Sequence, residues 1–85
     1  MKLGDLIRVL GPLTRITITV LGYLRSTEKY YSFRTMTSEA MVQNCTFSDE
    51  DLNTDVVGVR IDCPENYPIV FIDVVEWIDD TKKES

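Results

Sequence analysis

The run YPIVFIDVVEWIDD, residues 67–80, decides how this chain folds. Val70, Ile72 and Val74 alternate with Ile69, Phe71 and Val75, so an extended backbone here is apolar on both sides. Successive side chains of a strand point to opposite faces. A strand apolar on both faces belongs inside a sheet, covered on one side and partly covered on the other. The character then changes. Asp73 interrupts the apolar series, and Glu76, Asp79 and Asp80 gather around Trp77. The stretch reads as a strand over residues 68–77 that turns into a charged surface at its end. Trp77 is either a core filler or an interface anchor.

The rest of the chain supplies what such a strand packs against. Residues 55–62, DVVGVRID, form a neighbouring strand with Val57, Val59 and Ile61 on one face, and Gly58 permits a close approach or a bulge. Residues 14–21, TRITITVL, alternate Ile16, Ile18 and Val20 with polar residues, the pattern of a half-buried strand. Residues 29–36, KYYSFRTM, make a second strand with Tyr31 and Phe33 toward the core, joined to the first as a hairpin. Residues 37–44 read as a short helical turn, because Thr37 or Ser38 can cap it and Ala40 and Met41 favour helix. At the N-terminus, Leu3, Leu6, Ile7 and Leu10 share one helical face, and Gly11-Pro12 stops the helix. The expectation is an α+β fold: a small antiparallel sheet of about four strands, an N-terminal helix on one face and a helical turn between strands two and three. Residues 1–80 form one domain, and residues 81–85 a flexible polar tail.

Composition narrows the function. The chain has 85 residues and a net charge of −5, unevenly spread. Residues 1–44 hold six basic and three acidic groups, a balance of +3; residues 45–85 hold three basic and eleven acidic groups, a balance of −8. The acidic half repels nucleic acid and favours a basic protein partner. No apolar run approaches a membrane span. Charges and Gly11-Pro12 break the N-terminal apolar segment, so it does not read as a signal peptide. Cys45 and Cys63 match no redox or zinc spacing, and free thiols in a reducing cytoplasm are expected.

Catalytic parts are missing. There is no histidine, which removes the usual general base, both familiar triads and the commonest zinc ligand. Asp49-x-Asp51-x-Asn53-x-Asp55 imitates the start of a calcium loop. The imitation fails where the loop needs Gly and Glu, which here are Thr54 and Arg60. Asn44-Cys45-Thr46 fits a glycosylation acceptor without a secretory context. No enzyme, cofactor or metal is therefore expected. What remains is acidic surface: Asp49, Glu50, Asp51, Asp55, Asp73, Glu76, Asp79 and Asp80 are the candidate partner-binding residues. If Asp73 is buried, Arg60 on the adjacent strand is its expected partner.

The opening MKLGDLIRVL, the strand TRITITV and the late IVFIDVVEWIDD resemble small acidic proteins of phages and mobile elements. Among these, the layout is similar to anti-CRISPR proteins, and DLIR at residues 5–8 resembles the first helix of one such inhibitor. The resemblance implies a non-enzymatic inhibitor in the host cytoplasm. Its acidic surface would mimic DNA in the basic groove of a Cas nuclease, without touching nucleic acid itself. The second reading is a structural or assembly module, homodimeric through a sheet edge.

Overall fold

Seven residues after the first methionine and lysine wind into α1 (Leu3–Val9), with Leu3 and Leu6 as its buried residues. A helix of two turns is not stable alone. It persists here because those leucines pack on a sheet, as this computed structural model, which describes residues 1–78, shows. The helix ends at Val9, with Leu10 already extended ahead of Gly11-Pro12.

The sheet has four strands: β1 (Arg15–Leu24), β2 (Lys29–Met41), β3 (Asp55–Asp62) and β4 (Ile69–Ile78), in the order β2-β1-β4-β3. The α+β class, the strand number and the helix on one face follow the expectation. The pairing differs in one respect. β1–β2 and β3–β4 are antiparallel, but the central pair β1–β4 is parallel, so the sheet is mixed. The chain between β2 and β3 carries it across to the far side, and β4 returns beside β1 in the same direction.

The core lies between α1 and one face of the central pair. Ile16, Ile18 and Val20 of β1 meet Ile72 and Val74 of β4 beneath Leu3 and Leu6. Met36, Val42, Cys45 and Phe47 close it at the side. β4 is covered on one face and partly on the other, as its sequence implied: on the second face Ile69 and Val75 are buried, while Phe71 and Asp73 are half-buried. β3 is instead an edge, and of its valines Val56 is the one that reaches the core. Val57, Val59 and Ile61 are exposed.

Residues 37–41 are not helical but continue β2, because Ala40 and Met41 pair with Ile16 and Arg15. Tertiary pairing overrides their helix propensity. What remains of the turn is a single 3₁₀ turn at Val42–Asn44. A second short helix, α2 (Asp49–Leu52), forms just ahead of β3. Tyr31 and Phe33 are 54% and 71% exposed rather than in the core. Extra residues in β2 break its strict alternation, and Phe33 sits beside Leu21 on the face that α1 does not cover.

Candidate acidic cleft

The site is assembled from four short pieces of chain. The first is α2. Ser48 caps it: the Asp51 N–H donates to Ser48 Oγ (3.1 Å), and the Ser48 N–H donates to Asp51 Oδ2 (3.3 Å). This reciprocal pair satisfies two of the N–H groups that any helix start leaves unpaired. Asp49, Glu50 and Asp51 all lie in that first turn, where exposed N–H groups favour carboxylates. The Thr54 hydroxyl donates to the Asp51 carbonyl (2.7 Å) and closes the helix toward β3.

The second piece is the N-terminal arm. The Leu3 N–H donates to the Thr54 carbonyl and the Val56 N–H to the Met1 carbonyl, each at 2.9 Å. These bonds lay Lys2 against Asp55 as a single antiparallel bridge. Asp55 is the hub of the site. It accepts from Lys2 Nζ at 2.8 Å and from Trp77 Nε1 at 2.6 Å. The Lys2 bond, then the Trp77 bond, hold its carboxyl below the usual aspartate range.

The third piece is the end of β4. Register places Asp55 beside Val75, so Glu76 and Trp77 follow at the same end of the sheet. Trp77 is 45% exposed, which removes the core-filler reading. Its ring is fixed edge-on to Tyr23 (5.2 Å), and the Arg25 guanidinium sits 5.2 Å from its centre. The fourth piece is Arg34 of β2, 4.0 Å from Glu76.

Together these residues enclose a cleft of about 330 Å³ floored by Val20 and Val75. Glu50, Asp51, Asp55 and Glu76 line it against Lys2 and Arg34, leaving two net negative charges, with Trp77 on the rim. Exposed ion pairs of this kind are weak and easily exchanged. The cleft can therefore take up a cation, with an aromatic face beside it.

The structure thus brings together four of the eight acidic candidates. Asp49 is on α2 but does not line the cleft. Asp73 points to the uncovered face of the sheet, half-buried and opposite Gly58. Its expected partner is elsewhere: the Arg60 guanidinium lies 4.4 Å from the Phe71 ring centre and 3.9 Å from Asp62. Asp79, Asp80 and the expected tail over residues 81–85 lie outside the described residues. Lys2 and Arg34 were not singled out from sequence. Only folding places them here, and no local motif marks them.

The calcium-loop imitation falls partly within α2. Asp49 and Asp51 are turned by α2, and Asp51 and Asp55 are engaged by Ser48, Lys2 and Trp77. Among the described residues no group of three or more His, Cys, Asp or Glu side chains is arranged to hold a metal ion. Cys45 and Cys63 are free thiols. No helix of the described residues is long and apolar enough to cross a membrane. Compared with known proteins, the chain matches no family model and no curated protein, and its structure matches no solved structure.

Proposed function

We propose that this protein is a small non-enzymatic binding module whose acidic cleft receives a cationic segment of a partner protein. One observation carries the reading. Glu50, Asp51, Asp55 and Glu76 come from three separate elements yet line one cleft beside an exposed tryptophan, with excess negative charge. The non-enzymatic reading is supported by the chemistry of the lining: the chain has no histidine, and neither thiol lines the cleft. The partner surface is of the kind that otherwise holds nucleic acid, rich in Arg and Lys. A nuclease groove, the target implied by the resemblance to Cas-nuclease inhibitors, is such a surface, and the protein acts there in the cytoplasm.

Titration calorimetry with an oligoarginine peptide at low and physiological salt tests the reading. Binding weakens steeply with salt. Glu50→Lys and Glu76→Lys each weaken it by about fivefold or more, on the scale of reversing one surface charge. Asp49→Lys, which changes net charge equally but lies off the cleft, has a clearly smaller effect. Salt-insensitive binding, or equal losses for all three variants, overturns the proposal. Mass spectrometry of proteins retained from a bacterial host lysate by wild type but not by Glu76→Lys then identifies the partner.

A further inference from the structure

The two edges of this sheet are not equivalent. β2 is 13 residues long against 10 in its partner β1, and the three register shifts between them place every extra residue in β2. Glu39, within that stretch, has φ 48°. Bulges kink an edge strand and spoil it as a template for another chain. β3 carries one bulge, between Val56 and Gly58, and the outer side of that end is occupied by Met1 and Lys2. From Gly58 onward it pairs regularly with β4, and no outer backbone bond of residues 58–62 exists among the described residues. Val59 and Ile61 are 49% and 69% exposed along it.

Asp73 supplies the second observation. It is half-buried, yet its side chain makes no hydrogen bond or ion pair among the described residues. Its carboxylate leans over Gly58 toward the edge: a Cβ at that glycine would lie 3.3 Å from Asp73 Oδ2. The glycine therefore leaves open the one direction from which a cation beyond the edge can reach it. Arg60 stands two residues along the same strand, exposed, over the Phe71 ring and 3.9 Å from Asp62.

We infer that the β3 edge is a homodimer interface, with two copies pairing antiparallel about a two-fold axis at Val59, so that each Arg60 crosses the partner's Gly58 to the partner's Asp73. Side chains directly opposed across a strand pair share a face, so the axis must pass through a residue. An axis at Gly58 sets Arg60 itself against residue 56, whose outer side Met1 already fills; an axis at Val59 brings only Asp62, past the end of the pairing at residues 57–61, to that position. An axis at Arg60 opposes two arginines. An axis at Ile61 runs residue 58 against Pro64, which has no N–H to give. Of these registers, the axis at Val59 is the one that sets Arg60 opposite Gly58 and so brings a cation to Asp73. This interface is separate from the acidic cleft, and Glu50→Lys leaves dimerisation unchanged.

Sedimentation equilibrium of the full chain gives a reversible monomer–dimer equilibrium; a concentration-independent monomer overturns the inference. Two Arg60–Asp73 bridges, each worth about fivefold, make Arg60→Asp about twenty-five-fold weaker as a dimer. The exchanged pair Arg60→Asp with Asp73→Arg restores dimerisation. A folded exchange variant that stays monomeric refutes the pairing. Should that variant fail to fold, cysteine trapping decides. In a Cys63→Ser background, Val59→Cys cross-links on oxidation, since directly opposed strand residues lie within disulfide reach. Cross-linking by Ile61→Cys but not by Val59→Cys refutes the axis.

Discussion

Leu3→Ala tests whether α1 belongs to the cooperative unit or merely rests on the sheet. Leu3 is fully buried, and its N–H is tied to Thr54, so it pins both the helix and the α2 segment to the core. The substitution removes three carbons, which at about 0.8 kcal/mol each gives about 2.4 kcal/mol before any cavity cost. Partial collapse of the cavity brings the total to about 3 kcal/mol, within the usual range for buried leucines. A chain of this length has about 4–13 kcal/mol in all. With a urea slope of about 1 kcal/mol per molar, the midpoint should fall by about 3 M. Val9→Ala is the control: Val9 is on the same helix but 76% exposed. It should move the midpoint by no more than about 0.5 M. Far-UV circular dichroism and Trp77 fluorescence should report the same transition if unfolding is two-state. Equal midpoints for the two variants would refute the packing of α1 as the source of core stability.

Asp55→Asn should lower the urea midpoint at neutral pH and bring Trp77 fluorescence closer to that of a solvated indole. Because the folded Asp55 carboxyl titrates below its unfolded range, its contribution is present above about pH 4 and is lost as pH falls through the folded value. The gap between wild type and variant should therefore close in acid; a gap that widens there would contradict the sign. Gly4→Ala should destabilise despite helix propensity: a Cβ would lie 3.2 Å from the Leu52 backbone carbonyl, a group that cannot rotate away, and strain of about 1–3 kcal/mol outweighs a gain of about 1 kcal/mol. A higher melting temperature would disprove the α1–α2 contact. Thiol labelling with a disulfide reagent at pH 8 should modify exposed Cys63 well before Cys45, whose thiol is raised by desolvation and donates to the Met41 carbonyl; equal rates would refute it. Arg34→Ala should strengthen oligoarginine binding by about two- to fivefold, by removing the internal cation that faces Glu76; weaker binding by calorimetry would show that Arg34 supports the cleft instead.

The parts of the fold legible in sequence were those fixed by local periodicity. The spacing of Leu3 and Leu6 gives α1, the alternation of Ile16, Ile18 and Val20 gives β1, and two-faced apolarity gives β4 its central place. What was hidden depends on pairing between distant segments. Residues 37–41 carry helix-favouring side chains, and only the β1 backbone beside them makes them strand. The alternation in 29–36 suggested buried Tyr31 and Phe33 because the extra residues of β2 leave no mark on composition. The cleft was half visible. The acidic residues within 49–55 and 73–80 were already the candidate surface, whereas the reciprocal Ser48–Asp51 cap at the start of α2 was seen only in the fold. Lys2 enters through one β-bridge across 53 positions, which no local rule anticipates.

The parallel pair at the centre also explains how charge along the sequence becomes charge in space. With the order β2-β1-β4-β3, both strands of the basic half lie on one side and both strands of the acidic half on the other. β1 and β2 together carry a net charge of +2 and β3 and β4 one of −3, which an interleaved order would have mixed strand by strand. Instead the sheet is polar from edge to edge, and β1–β4 is the seam. The cleft spans that seam: Arg34 reaches from the basic side to Glu76, while Glu50, Asp51 and Asp55 approach from the acidic side. Arg34 and Lys2 therefore occupy positions that an incoming cation would compete for. A separation of charge built by topology, with exchangeable internal cations at the boundary, favours a partner that supplies several cations at once over one that supplies a single charge. The first displaces both Arg34 and Lys2 and gains from the acids they leave, whereas the second gains only what one weak surface pair returns.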